Sequence, residues 1–156
     1  MPIPFFNILT VLLSFISMEC VAWLAHKYLM HGGLWLLHND HHKRDDKQFF
    51  EKNDYFFLIF ATPGILCILL GSRDLSPVFW VGIGIAVYGF AYFMVHDIFI
   101  HQRFDLFKNT DSTYLRAIRK AHKVHHKHLS KEDGECFGML WVPLKYFKEA
   151  AKAKVR

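Results

Sequence analysis

The chain has 156 residues, enough for a single domain, and carries a formal net charge of +5. At 53% hydrophobic and 17% aromatic residues it is too apolar for an ordinary soluble domain of this length, so an all-α integral membrane protein is expected. The basic excess is not laid out on an aromatic-studded polar face, which argues against a nucleic-acid partner. Three scattered cysteines, Cys20, Cys67 and Cys136, suggest neither a disulfide framework nor a thiolate metal site.

Residues 4–25 are apolar apart from Asn7, a few hydroxyls and Glu19. As a helix they reach about 33 Å, enough to cross a bilayer. The basic start and small-residue cleavage site of a signal peptide are missing, so this stretch is expected to remain as a span. Residues 55–72 are uncharged and predict a second span, with a kink at Pro63 and Gly64. Residues 77–95 predict a third, in which Gly82, Gly84 and Gly89 offer close helix contact. The polar link 73–76 makes spans two and three a hairpin. Three transmembrane helices, or four, are thus expected, with polar histidine-rich segments at 26–54 and 96–156. The apolar run 137–144 is too short to span and reads as an interfacial dip.

Of the 19 lysines and arginines, five lie between 26 and 54, thirteen after 96, and only Arg73 in the hairpin link. The excess of positive charge predicts that the segments 26–54 and 96–156 face the cytoplasm of a multi-pass cell (inner) membrane protein. The basic stretch 145–156 is a candidate amphipathic helix for the surface of the lipid bilayer.

Ten of the eleven histidines form two motifs, each repeated in the same order. His26 and His31 (HKYLMH) precede His38, His41 and His42 (HNDHH). His96 and His101 (HDIFIH) precede His122, His125 and His126 (HKVHH). The first motif recurs at an offset of 70 positions and the second at 84, an internal duplication of two ligand sets. The H-x-x-H-H spacing puts three imidazoles on one helix face. The five-residue spacing of the other motif separates its histidines by about 140° on an α-helix, so a helix end, an altered turn or binding to different metals is required. A lone histidine such as His128 is read as an ordinary side chain, but ten imidazoles exceed what one tetrahedral zinc can use. Two ions are expected. Imidazole suits iron, zinc, copper or nickel; a large site where a lipid substrate and O2 can meet favours redox-active iron.

Glu19 lies two turns before His26 on the same helix face, where an intramembrane carboxylate needs a purpose. Asp40, Glu51, Asp54 and Asp97 stand close in sequence to the histidines. All five carboxylates are candidates to orient imidazoles from behind.

The order H-x4-H, H-x2-H-H, H-x4-H, H-x2-H-H resembles the membrane fatty-acid hydroxylase superfamily and, within it, the β-carotene hydroxylases. Supporting blocks are Ala22-Trp23 before His26, FEKND at 50–54, VHD at 95–97 through HQRF at 101–104, and AH at 121–122 through GECFG at 134–138. One departure is Asn39-Asp40 before His41, where serine is more usual in the position before the histidine pair.

The resemblance implies one membrane hydroxylase domain over 1–156 and two non-haem iron ions on the ten histidines. It implies O2-dependent 3-hydroxylation of the β-ionone rings, from β-carotene through β-cryptoxanthin to zeaxanthin, with O2 as cosubstrate. Electrons would come from reduced ferredoxin, ultimately NAD(P)H, steered by basic residues including Arg116, Arg119, Lys120 and Lys123. The rivals are a fatty acyl or sterol hydroxylase or desaturase of the same superfamily and, from another class, a membrane metal-binding or transport protein.

Overall fold

The computed structural model describes residues 4–43, 49–104 and 106–153; the end of the predicted C-terminal helix, 154–156, lies outside them. All regular structure among the described residues is helical. The first span begins as α1, Phe5–Leu24, and continues without a break as a π-helical stretch, Ala25–Gly33. Gly32 (φ −118°, ψ −117°) then turns the chain into α2, Trp35–His42. A short 3-10 turn, Lys52–Asp54, leads into α3, Tyr55–Gly71. Helix α4, Pro77–Phe93, starts with Pro77 in its first turn, where the missing N–H costs nothing, and runs on as a second π-helical stretch, Met94–Ile100. Helices α5, Thr113–His125, and α6, Leu144–Lys152, complete the chain.

Three helical stretches are long and apolar enough to span a membrane: Phe5–Gly33, Lys52–Gly71 and Pro77–Ile100. Their apolar side chains point outward, as at Leu12, Phe57 and Leu70, which is the pattern for a lipid rather than a water boundary. Helix α3 runs unbroken through Pro63, so the expected kink does not interrupt it. Within the bundle, α4 packs on both α1 and α3, and missing side chains set the spacing. A Cβ on Gly82 would lie 2.8 Å from the Gly64 carbonyl oxygen, and one on Gly84 2.7 Å from that of Val11. Gly89, expected to make a similar contact, has nothing within 4 Å of its Cβ position.

Outside the spans a second core joins the end of the α4 extension to α5, α6 and the segment between them. Phe99, Ile100, Ile118, Met139, Val142 and Tyr146 are its largest buried members. Helix α6 therefore lays Tyr146 and Ala150 into this core and is not a free helix on headgroups. The run 137–144 is likewise anchored, with Met139 and Val142 buried and Trp141 exposed.

Candidate metal centre

The π-helical stretches resolve the five-residue spacing. Their i to i+5 hydrogen bonds widen the turn to roughly 4.4 residues, so residues five apart fall about 50° apart rather than 140°. The bond that makes this turn joins the second pair itself: the His101 N–H donates to the His96 carbonyl at 2.9 Å. His38, His41 and His42 share α2; His122 and His125 end α5, with His126 as its C-cap.

Nine of the ten motif histidines fall into two groups whose ligand atoms lie within 4.8 Å of one another. The first contains His26, His31, His38, His42 and His125; the second contains His41, His96, His101 and His122. The duplication crosses over here. Each H-x-x-H-H helix gives its middle histidine to the other group, while His38 and His42 join the pair His26 and His31, and His122 joins His96 and His101. His126, the counterpart of His42, is outside both groups by ligand-atom distance and lies between them, its ring centroid 4.6 Å from that of His42. Its ring centroid is 4.6 Å from His122 and 4.8 Å from His101, and its Nε2 is buried with no hydrogen-bond partner. His128 stays outside both groups.

Orientation of the rings tests whether a metal fits. In the first group every Nδ1 faces an oxygen acceptor: His26 the Phe137 carbonyl (3.0 Å), His31 that of Lys131 (3.3 Å), His42 that of His128 (2.8 Å), His125 that of Glu135 (2.8 Å) and His38 the Asn53 Oδ1 (2.7 Å). In the second, His41 Nδ1 donates to Glu51 Oε2 at 2.6 Å and His96 Nδ1 to Asp97 Oδ2 at 3.2 Å. A nitrogen that faces an acceptor carries the hydrogen, so these Nε2 atoms hold bare lone pairs.

Yet those lone pairs point at each other: His26 to His38 at 3.1 Å, His31 to His125 at 3.2 Å, His41 to His96 at 3.0 Å. Buried lone pairs in contact are held only by a shared cation. The donor set therefore fits two metal ions, with second-sphere acceptors of the kind that fix metal-bound imidazoles.

Protonation does not compete near neutral pH. Burial, and then repulsion among neighbouring imidazoles, pushes His125 and His126 down to about 2. Burial likewise takes His38 to about 3 and His42 to about 4, against the raising effect of their oxygen acceptors.

The candidate carboxylates divide. Glu51 and Asp97 contact imidazoles. Asp54 instead accepts from Arg103 Nη2 at 2.7 Å, and Asp40 accepts from the Lys52 N–H at 2.6 Å, joining α2 to the 3-10 turn. Glu19 does not hold an imidazole. Its Oε1 accepts three successive backbone N–H groups, of Met139, Leu140 and Trp141 (2.9, 2.9 and 3.0 Å), and its Oε2 accepts the Tyr88 hydroxyl at 2.7 Å.

Arg103 was not singled out by sequence reasoning, yet it ties the carboxylates together. It reaches Asp97 (3.0 Å), Asp54 (2.7 Å) and Glu51 (3.3 Å). Burial opposes its charge, but the surrounding carboxylates raise its pKa overall. Asn53 and the four supporting carbonyls were missed too. Asn53 and Arg103 sit inside the FEKND and HQRF blocks, which was the available signal; backbone carbonyls leave none.

Residues 11–145 match the family model "Fatty acid hydroxylase". The chain is 43% identical over 137 residues to a beta-carotene hydroxylase of Pantoea ananas, covering 88% of this chain and 78% of that protein. It is 33% identical to one of Paracoccus sp. (strain N81106 / MBIC 01143), covering 88% and 85%. It is 38% identical to the chloroplastic beta-carotene 3-hydroxylase 1 of Arabidopsis thaliana, covering 82% of this chain but 42% of that longer protein. No solved structure matches. On a match that spans most of its length, the chain belongs to the fatty acid hydroxylase family.

Proposed function

We propose that this chain, as one domain over 1–156, is a β-carotene 3-hydroxylase that converts β-carotene through β-cryptoxanthin to zeaxanthin. The observation that carries the reading is the pair of buried Nε2 clusters at the ends of lipid-facing spans. The names of the relatives, beta-carotene hydroxylase in each case, supply the substrate.

C3 of a β-ionone ring is saturated and unactivated, so side chains alone cannot functionalise it. His26, His31, His38, His42 and His125 would hold one non-haem iron and His41, His96, His101, His122 and His126 a second; such a pair would supply the oxidising chemistry with O2, and reduced ferredoxin would supply the electrons. The protein's part is placement. The Phe137, Lys131, His128 and Glu135 carbonyls, with Asn53, Glu51 and Asp97, hold the rings so that every Nε2 they back faces inward. The buried imidazoles and the packing of Phe137 against His26, His31 and His125 limit the access of water to the site.

A membrane-dissolved polyene reaches the site from the bilayer. A shallow apolar groove of about 470 Å³ runs between α1 and α4, lined by Leu9, Leu13, Met18, Val81 and Ile85 among others. It supports a substrate lying along the spans. The charge bias supports a cytoplasmic position for the histidine motifs at the inner membrane.

The test is pigment analysis of β-carotene-accumulating bacterial cells that express the chain, beside His125→Ala at matched membrane level. Zeaxanthin from the parent alone is expected. Unchanged β-carotene from both, with metal loaded and a donor supplied, removes the carotenoid reading and points to acyl lipids.

A further inference from the structure

The duplication that makes the two ligand sets alike does not extend to what stands behind them. His41 and His125 are counterparts, as are His26 and His96. His125 donates to the main-chain carbonyl of Glu135 at 2.8 Å, but His41 donates to the Glu51 carboxylate at 2.6 Å. His26 is backed by the Phe137 carbonyl at 3.0 Å, but His96 by the Asp97 carboxylate at 3.2 Å. All five imidazoles of the first group rest on neutral oxygens: four carbonyls and the Asn53 amide.

The carboxylates behind the second group are gathered on one arginine. Among the described residues, one guanidinium, Arg103, faces three carboxylates, Glu51, Asp54 and Asp97. A carboxylate that accepts the Nδ1 hydrogen makes Nε2 the stronger donor and favours the more highly charged ion in front of it.

We propose that the two metal positions are electronically inequivalent, and that the ion held by His41, His96, His101, His122 and His126 loses its electron first. The inference rests on the diiron reading. Each position passes from ferrous to ferric with loss of one electron, and Glu51 and Asp97 set the order. Outer partners of metal-bound histidines are worth roughly ten- to a hundredfold. A tenfold preference for the ferric ion corresponds to about 59 mV for one electron.

The test uses the full chain in detergent, loaded with ferrous iron, counted by metal analysis and then titrated with ferricyanide, a one-electron oxidant. Mössbauer spectra follow each ion. Two one-electron steps at least about 59 mV apart are expected. Glu51→Gln keeps an acceptor but removes its charge, and should raise the first step without moving the second. Asp97→Asn is the parallel variant should Glu51→Gln fold poorly. Asn53→Asp adds a carboxylate behind His38 and should lower the second step, so that each change narrows the gap from the opposite side.

Two irons that oxidise in one step, or variants that move both steps equally, overturn the inference and leave the diiron reading intact. A chain that binds one iron, or none, removes the diiron reading and the inference with it, and metal analysis shows this before any titration begins.

Discussion

Replacing Glu19 with alanine should cost more than any single change on the lipid-facing surface. The substitution strips the acceptor from the N–H groups of Met139, Leu140 and Trp141 and from the Tyr88 hydroxyl. A buried donor left unpaired costs roughly 1–3 kcal/mol. Trp141 is 81% exposed, so its N–H can turn to water and is discounted. Three donors remain, and with partial solvent access the loss is about 3–6 kcal/mol. For a chain of this size that lowers the melting temperature by roughly 6–20 °C. The freed segment also carries the Phe137 carbonyl that supports His26 and adjoins the Glu135 carbonyl that supports His125, so metal content should fall as well. Glu19→Gln retains one acceptor oxygen for the three N–H groups and should recover most of the stability. Thermal unfolding in detergent, with metal analysis of each variant, makes the comparison. A Glu19→Ala protein with the parent's melting temperature and metal content refutes the reasoning.

Gly82→Ala should lower stability by roughly 1–3 kcal/mol, because its Cβ would meet the Gly64 carbonyl and Ile68 at 2.8 Å. Gly89→Ala, with open space around it, should be neutral or gain up to about 1 kcal/mol; equal melting shifts in the two would contradict the packing argument. In metal-free protein, unfolded histidines take up protons near pH 6.5, whereas His38 and His42 stay neutral down to about 3 and 4. The unfolded state then binds more protons, so stability is full above about pH 6.5 and falls steadily toward pH 4. A melting temperature that is flat from pH 7 to pH 4 would show these imidazoles to be solvated.

The spans and the two H-x-x-H-H helices were legible because both rest on local periodicity. Runs of apolar residues set the first, and a three-four spacing the second. The H-x4-H pairs were legible as a problem whose answer the sequence left open. An α-helix separates the two rings, and only the widened turn in the structure brings them together. The crossing of His41 and His125 between groups lay beyond periodicity, because it depends on how α2 and α5 approach one another. Glu19 was correctly marked as unusual and given the wrong partner. Three of its four contacts are about 120 residues away in a segment with no regular structure, and the fourth, Tyr88, is on α4. Asp40 and Asp54 looked equivalent to Glu51 by proximity in sequence, and only side-chain direction separates them.

The Glu19 clamp also has a bearing on how the molecule is made. The chain emerges N-terminus first, so the spans and their histidines are in place before residues 131–141 exist. Until that last segment docks onto Glu19, His26, His31 and His125 have no carbonyls behind them and their rings are free to turn. The cavity thus stays unroofed throughout most of synthesis, and the same docking that covers it also locks the rings.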